Sequence, residues 1–226
     1  MNNTVTLQGN LAKLEEATSK AGAQYAHVTL RTEDANGNPY DYPFLAFGET
    51  AERLKSFKEN AKISVKGRIA RSDYESEGGK KNTTFSIIGN KVEVAQDAGY
   101  KSAFTLSGFV VTKNESGKLE LQKAESGKDY LKFALSVKRD VKIVEGEAVP
   151  EAKYDTYFLT AFGKTASEMA KYKKGDLVEI SGNISVDSNG NVSPIARNGK
   201  LIREATAVTA PQNNEAEKNA APTNEK

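Results

Sequence analysis

Apolar and polar positions alternate along most of this chain. Val5/Leu7, Val28/Leu30, Ile63/Val65 and Ile87 do so in the first half, and Leu106, Phe133/Leu135, Val178/Ile180 and Ile202 in the second. A period of two marks half-buried strands. One segment per half breaks this rhythm. Ala51, Leu54 and Phe57 recur at every third position, as do Ala166, Met169 and Tyr172, each run opening just after Gly-x-Thr. That spacing predicts one short helix per half. Lys173-Lys-Gly-Asp176 closes the second, with cations near the last carbonyls and a glycine at the turn. The predicted elements are strands 3–13, 24–33 and 41–47, a helix 49–58, and strands 61–71 and 83–94. The second set is strands 102–112, 129–140 and 154–162, a helix 164–172, and strands 176–186 and 195–203.

The two sets are an internal repeat. Val5-Thr-Leu-Gln-Gly9 aligns with Phe104-Thr-Leu-Ser-Gly108, and Gly22–Leu30 with Gly127–Leu135. Ala46–Ile69 aligns without a gap on Ala161–Ile184. The extra residues of the second half fall between matched strands, as a duplicated domain requires. Five strands with a helix between the third and fourth is the order of an OB-fold barrel. The expected architecture is therefore all-β with one short helix per domain: two tandem OB-fold five-stranded barrels. Gly9/Gly108 and Gly67/Gly182 lie inside strands, where such barrels need a sharp bend or bulge. The expected boundaries are 1–95 for the first barrel, 96–102 for a linker and 103–206 for the second barrel. Residues 207–226, AVTAPQNNEAEKNAAPTNEK, hold almost nothing apolar beyond alanine and are expected to be a disordered tail.

Composition narrows the function. The 226 residues carry a net charge of only +2, so any nucleic-acid binding has to come from local placement of cations together with stacking. Cysteine is absent and His27 is the one histidine. No disulfide, thiolate metal site, catalytic zinc or histidine-based triad is expected. Glu77-Gly-Gly-Lys-Lys81 is too short for a phosphate loop, and the acidic residues form no two-metal cluster. No cofactor and no catalytic residue is expected. The chain has no apolar run of membrane-spanning length, and its opening MNNTVTLQGN has no basic segment before an apolar one. A cytoplasmic protein without a membrane partner is expected.

Three phrases, each occurring in order, carry a likeness to a known family. Ala161-Phe-Gly-Lys-Thr-Ala166, followed by Tyr172-Lys-Lys-Gly-Asp-Leu-Val-Glu-Ile-Ser-Gly182, resembles bacterial single-stranded-DNA-binding proteins. So do the opening Asn3-Thr-Val-Thr-Leu-Gln-Gly-Asn-Leu11 and Ala26-His-Val-Thr-Leu-Arg-Thr32. The likeness runs through both halves and is closest to the type with two barrels per chain. It implies a non-catalytic protein that coats single-stranded DNA during replication, recombination or repair, assembled as a homodimer; a monomer is the other possibility. A tandem-OB module for protein partners and an RNA-binding protein are the alternatives, since stacking platforms accept either sugar.

Sequence-tolerant binding of a single strand needs aromatic faces and cations that track its backbone. Tyr74 falls where the family carries a stacking aromatic, on a segment that also bears Arg68, Arg71, Lys80 and Lys81. Phe47 and Phe162 match a family position that faces DNA; barrel core is the alternative for a strand phenylalanine. Tyr40, Tyr42 and Phe44 before the first helix, and Tyr154, Tyr157 and Phe158 before the second, offer further faces. Tyr25 and Tyr130 are out of phase with the core and point outward. Arg31, Lys132, Lys138 and Arg139 on second strands and Lys66 on a fourth strand are the remaining candidate cations, whereas Lys55, Lys171 and Lys173 read as a solvated helix face. The halves depart from each other: Asn189 stands where the second half would need the counterpart of Tyr74, and Lys138–Lys153 is an insertion containing Val141, Ile143 and Val144. The acidic, aromatic-capped C-terminal tip of the family is absent, which argues against tail-mediated recruitment of replication proteins.

Overall fold

The structure, a computed structural model, describes residues 2–19, 22–33, 37–76, 79–97, 99–139, 153–187 and 190–205. The 207–226 tail and most of the Lys138–Lys153 insertion lie outside them, as does Asn189. The first barrel is built from β1 (Asn3–Thr18), β2 (Gln24–Glu33), β3 (Pro39–Phe47), α1 (Gly48–Lys55), β4 (Lys62–Glu75) and β5 (Lys81–Val94). The second uses β6 (Lys101–Val111), β7 (Gln122–Lys123), β8 (Asp129–Lys138), β9 (Tyr154–Phe162), α2 (Gly163–Met169), β10 (Leu177–Val186) and β11 (Val192–Arg203). Each barrel closes through a short parallel contact, Leu45 and Ala46 against Ile88 and Gly89 in one, Thr160 and Ala161 against Ile195 and Ala196 in the other. The expected pair of OB-fold barrels is what the chain forms.

Alternation sets the core. Ala26, Val28 and Leu30 of β2 face inward, with Ile63 and Val65 of β4, and Leu131, Phe133, Leu135, Val178 and Ile180 repeat the pattern in the second barrel. Each valine, leucine, isoleucine and phenylalanine among them stabilises the fold by about 1.5–3 kcal/mol on burial. Ala51 and Leu54 of α1, and Ala166 and Met169 of α2, join this core. Both helices end one turn before the predicted limit. Phe57 and Tyr172 do keep the period of three and pack on the core, but through tight turns in which their amides bond to the carbonyls of Leu54 and Met169 at 3.1 and 3.0 Å. Asn60 at φ 61° and Gly175 at φ 88° then reverse the chain.

The sequence leaves the contact between the barrels open; the structure makes it a ladder. β1 pairs antiparallel with β6 from Asn3↔Leu106 to Gln8↔Lys101, so that β5-β4-β1-β6-β10-β11 is one continuous sheet. Val5 and Phe104, equivalent in the repeat, face each other across it. The barrels are thus related by a pseudo-twofold axis through that pair. Two bulges obey the same symmetry, before Gly67 and before Gly182. A Cβ at either glycine would lie 2.1 or 2.0 Å from the carbonyl oxygen of Ile88 or Ile195, so only glycine permits the crossing of β4 on β5 and of β10 on β11.

Reciprocal tyrosines lock the pair. Tyr42 of the first barrel donates to the Ile184 carbonyl of the second at 3.1 Å, and its counterpart Tyr157 donates to the Ile69 carbonyl of the first at 3.1 Å. Asn3 braces the latter, giving its amide to Ile69 O at 2.8 Å and to Tyr157 Oη at 3.0 Å while accepting from Ile69 N. The join is pinned as well: Gln8, buried in the sheet, donates to Asp97 at 2.5 Å and to Gly99 O at 2.6 Å.

Candidate nucleic-acid interface

The outward side of β2 and β3 is where this fold presents side chains that the core does not use. Cross-strand neighbours there are Tyr25↔Phe47, His27↔Leu45, Thr29↔Pro43 and Arg31↔Asp41. The second barrel repeats the array as Tyr130↔Phe162, Lys132↔Thr160, Ala134↔Phe158 and Ser136↔Thr156, and continues to Lys138↔Tyr154. Phe47 and Phe162 are the last strand residues before Gly48 and Gly163, which take φ of 52° and 55°. That left-handed step turns the chain into the helix and leaves the ring on the open side of the strand. Phe47 stacks on Tyr25 at 5.5 Å and 21°, and Tyr25 meets His27 edge-on at 5.1 Å. In the second barrel Lys132 Nζ lies 5.9 Å from the centre of the Tyr130 ring.

Exposure separates the predicted aromatics into two groups. Phe47, Phe158, Phe162 and Tyr74 are 42, 55, 49 and 55% exposed, far above the value for core rings. Tyr42, Phe44 and Tyr157, by contrast, are 6, 2 and 2% exposed, and the expectation that they offer faces to a ligand is corrected. Strand alternation turns Phe44 into the barrel, and the two tyrosines are the inter-barrel latches. Burial holds both hydroxyls above the ordinary tyrosine pKa. Tyr40 is a further latch, donating to Val186 O and accepting from Val186 N at 2.9 Å.

The cations are spread unevenly. Tyr74 extends from the regular β4–β5 ladder opposite Asn82, on a hairpin that also carries Arg68, Arg71 and Lys80. Lys81 opposes Glu75, and its side chain lies outside the described residues. The Asp73 carboxyl accepts from Thr83 at 2.6 Å and holds Arg71; the Thr83 bond first, and Arg71 after it, keep that carboxyl below the usual carboxylate range. Arg31 grips Asp41 with two bonds of 2.8 and 2.9 Å, lowering the Asp41 pKa and raising its own. Arg139 likewise holds Asp155 with two bonds, which raises the Arg139 pKa. Lys138 is exposed opposite Tyr154. Lys66 departs from the rest. It stands beside Thr6 and Lys91 on the outer face of the continuous sheet and lines neither groove described next.

Two grooves run over these faces. One, of about 550 Å³, lies on the first barrel between His27, Pro43 and Leu45, with the self-paired Lys13 and Glu15 at its rim. The other, of about 1070 Å³, lies on the second barrel between Lys132, Phe158 and Thr160, with Lys113, Lys118 and Glu120 around it. Val192 borders both. Phe85 of β5 is the site residue that sequence reasoning misses. It alternates in phase with core Ile87, which reads as burial, yet beyond the end of its own barrel it emerges half-buried against Tyr157 and Phe158 of the other. Among the described residues no cluster of histidine, aspartate or glutamate has the arrangement of a metal site, and no helix is long and apolar enough to cross a membrane.

Residues 2–95 and 103–194 each match the profile of the single-strand binding protein family. A single-stranded DNA-binding protein of Fusobacterium nucleatum subsp. nucleatum is 34% identical over 104 residues, which cover 42% of this chain and 67% of that protein. Among solved structures, the wild-type single-stranded DNA binding protein from Thermus aquaticus superposes with a TM-score of 0.68 over 92% of this chain and 96% of that one, at 18% identity. A deletion mutant of the Thermus aquaticus protein gives 0.64 over 91% and 96%, also at 18% identity. These two are likenesses of fold.

Proposed function

The chain belongs to the single-strand binding protein family, and from that premise we propose that it coats single-stranded DNA, without strong sequence preference, through the outward faces of β2/β3 and β8/β9. The observation that carries the reading is the repeated outward Tyr-Phe pair, Tyr25/Phe47 and Tyr130/Phe162, an exposed phenylalanine beside a half-buried tyrosine at equivalent places on both barrels. Every base has a π-face, so stacking on such rings is indifferent to sequence, and each stack is worth about 1–3 kcal/mol. Tyr74 on its hairpin and Phe158 in the larger groove add two more platforms. Lys132, Lys138, Arg31, Arg139, Arg68, Arg71 and Lys80 supply charge along the phosphates. The carboxylates beside Arg31, Arg71 and Arg139 temper that charge, which suits a strand that has to be released. Lys66, on the outer sheet face, has no part in this path.

The proposal includes two domains, 1–95 and 103–206, with 96–102 between them, working without catalysis and without a cofactor in the cytoplasm during replication, recombination or repair. It extends to a homodimer of four barrels, which sedimentation of the free chain separates from a monomer. Titration of labelled oligo(dT) and of a duplex of equal length tests the central point. Tight, salt-sensitive binding of the oligo(dT) with little affinity for the duplex is expected. Equal affinity for both, or binding to neither, overturns it.

A further inference from the structure

The pseudo-twofold axis supplies an internal comparison. Strand register makes Val192 of β11 the counterpart of Phe85 of β5, because Val186↔Val192 occupies the ladder place of Arg71↔Phe85. Pro43 is likewise the counterpart of Phe158. The groove on the first barrel therefore has proline and a buried valine where the groove on the second has two phenylalanines. Only one of those phenylalanines belongs to the second barrel. Phe85 crosses from the first, its ring stacked 5.6 Å from Tyr157 at 23° and tilted at 59° to Phe158, 6.2 Å away. The Tyr157 hydroxyl, bonded to Ile69 O, ties that support back to the strand next to Phe85's own. The larger groove, with Lys113, Lys118 and Lys132 against Glu120, is also the more cationic of the two.

We propose that the first barrel donates Phe85 to a nucleobase seat on the second barrel. Resting on the reading of the chain as a single-stranded-DNA binder, this assigns the strand's main anchor to the larger groove: a base stacks on the exposed Phe158 ring, Phe85 closes its edge, and Lys132 faces the adjoining phosphate. The seat exists once per chain and needs both barrels in register. The divergence of the repeat thus gives one strong seat and one weaker groove, and the strong one is not a property of either barrel alone.

The chain contains no tryptophan, so Phe85→Trp in the full-length protein places a single indole at the seat. Saturating oligo(dT) is expected to quench its emission. Phe85→Leu keeps an apolar packing group and is expected to weaken oligo(dT) binding about 2- to 12-fold, the worth of an edge-to-face ring contact. Phe158→Leu is expected to weaken it about 5- to 150-fold, the worth of a stack. Because Phe85 acts on a base that Phe158 seats, Phe85→Leu placed on top of Phe158→Leu is expected to add less than about 2-fold. An unquenched indole, or a Phe85→Leu loss of the same size with and without Phe158, overturns the seat while leaving the reading of the chain intact. Failure of the wild-type chain to bind oligo(dT) overturns both.

Discussion

Tyr42→Phe and Tyr157→Phe each delete one oxygen from a buried inter-barrel latch, and in both a polar partner is left behind. When the Tyr157 hydroxyl is removed, Ile69 O keeps the Asn3 amide at 2.8 Å, but that amide loses the hydroxyl to which it also donates at 3.0 Å. Tyr42 donates to Ile184 O, and removing its hydroxyl takes a donor from that carbonyl. The expected cost of each is about 1–3 kcal/mol. For a chain of this size about 2–4 °C of melting temperature accompanies each kcal/mol. Thermal unfolding followed by circular dichroism at pH 7 should therefore place both variants below wild type, with oligo(dT) affinity of the folded variants unchanged. Burial raises both hydroxyl pKa values above 10.0, so the stability these tyrosines contribute is complete below that pH and declines as pH rises beyond it. Wild-type stability in both variants, with DNA binding lost, would refute the assignment of these rings to the latch.

Tyr74→Ala is expected to cost about 1–3 kcal/mol in oligo(dT) binding with an unchanged melting curve, because the ring is exposed; Phe47→Ala and Phe162→Ala should behave alike, and a collapse of the fold would mark them as core. Gly67→Ala or Gly182→Ala forces a Cβ to about 2 Å from a backbone oxygen and is expected to destabilise by about 1–3 kcal/mol or more, measured by urea unfolding; a neutral result would contradict the close strand crossing. The Asp97 carboxyl is held at about 2, first by the Lys101 ammonium and then by Gln8. Docking of the join should therefore be fully present above the ordinary carboxylate value of 3.8 and lost as pH falls through about 2. Carbon-detected NMR titration checks this, with Lys101→Ala moving the midpoint upward.

Much of the fold is written in short-range signals. Period-two alternation marks the core strands of both barrels, and the Gly-x-Thr openings mark both helices. Signals carried by polar residues are weaker. β1 continues to Thr18 because Lys13–Thr18 pairs with Gln24–Thr29, yet that stretch is too polar for hydrophobic periodicity to register. The β7 contact at Gln122–Lys123 is invisible for the same reason. At the site, the local rule places Phe47 and Phe162 beside a left-handed glycine. Strand phase turns Tyr42 inward with Phe44 and Ala46 and Phe158 outward with Phe162, but it does not reveal their neighbours far along the chain: Ile184 for one, Phe85 for the other. Phe85 itself obeys the alternation of a core residue. Only the pairing of β1 with β6, which brings the barrels together, converts it into a surface of the second barrel.

Ultraviolet cross-linking of oligo(dT) to the full-length chain, with the modified residues mapped by mass spectrometry, tests the proposed strand path most directly. Adducts are expected at Phe47, Tyr74, Phe158 and Phe162, along one side of both barrels. Adducts confined to the outer sheet face around Thr6, Lys66 and Lys91 would contradict it.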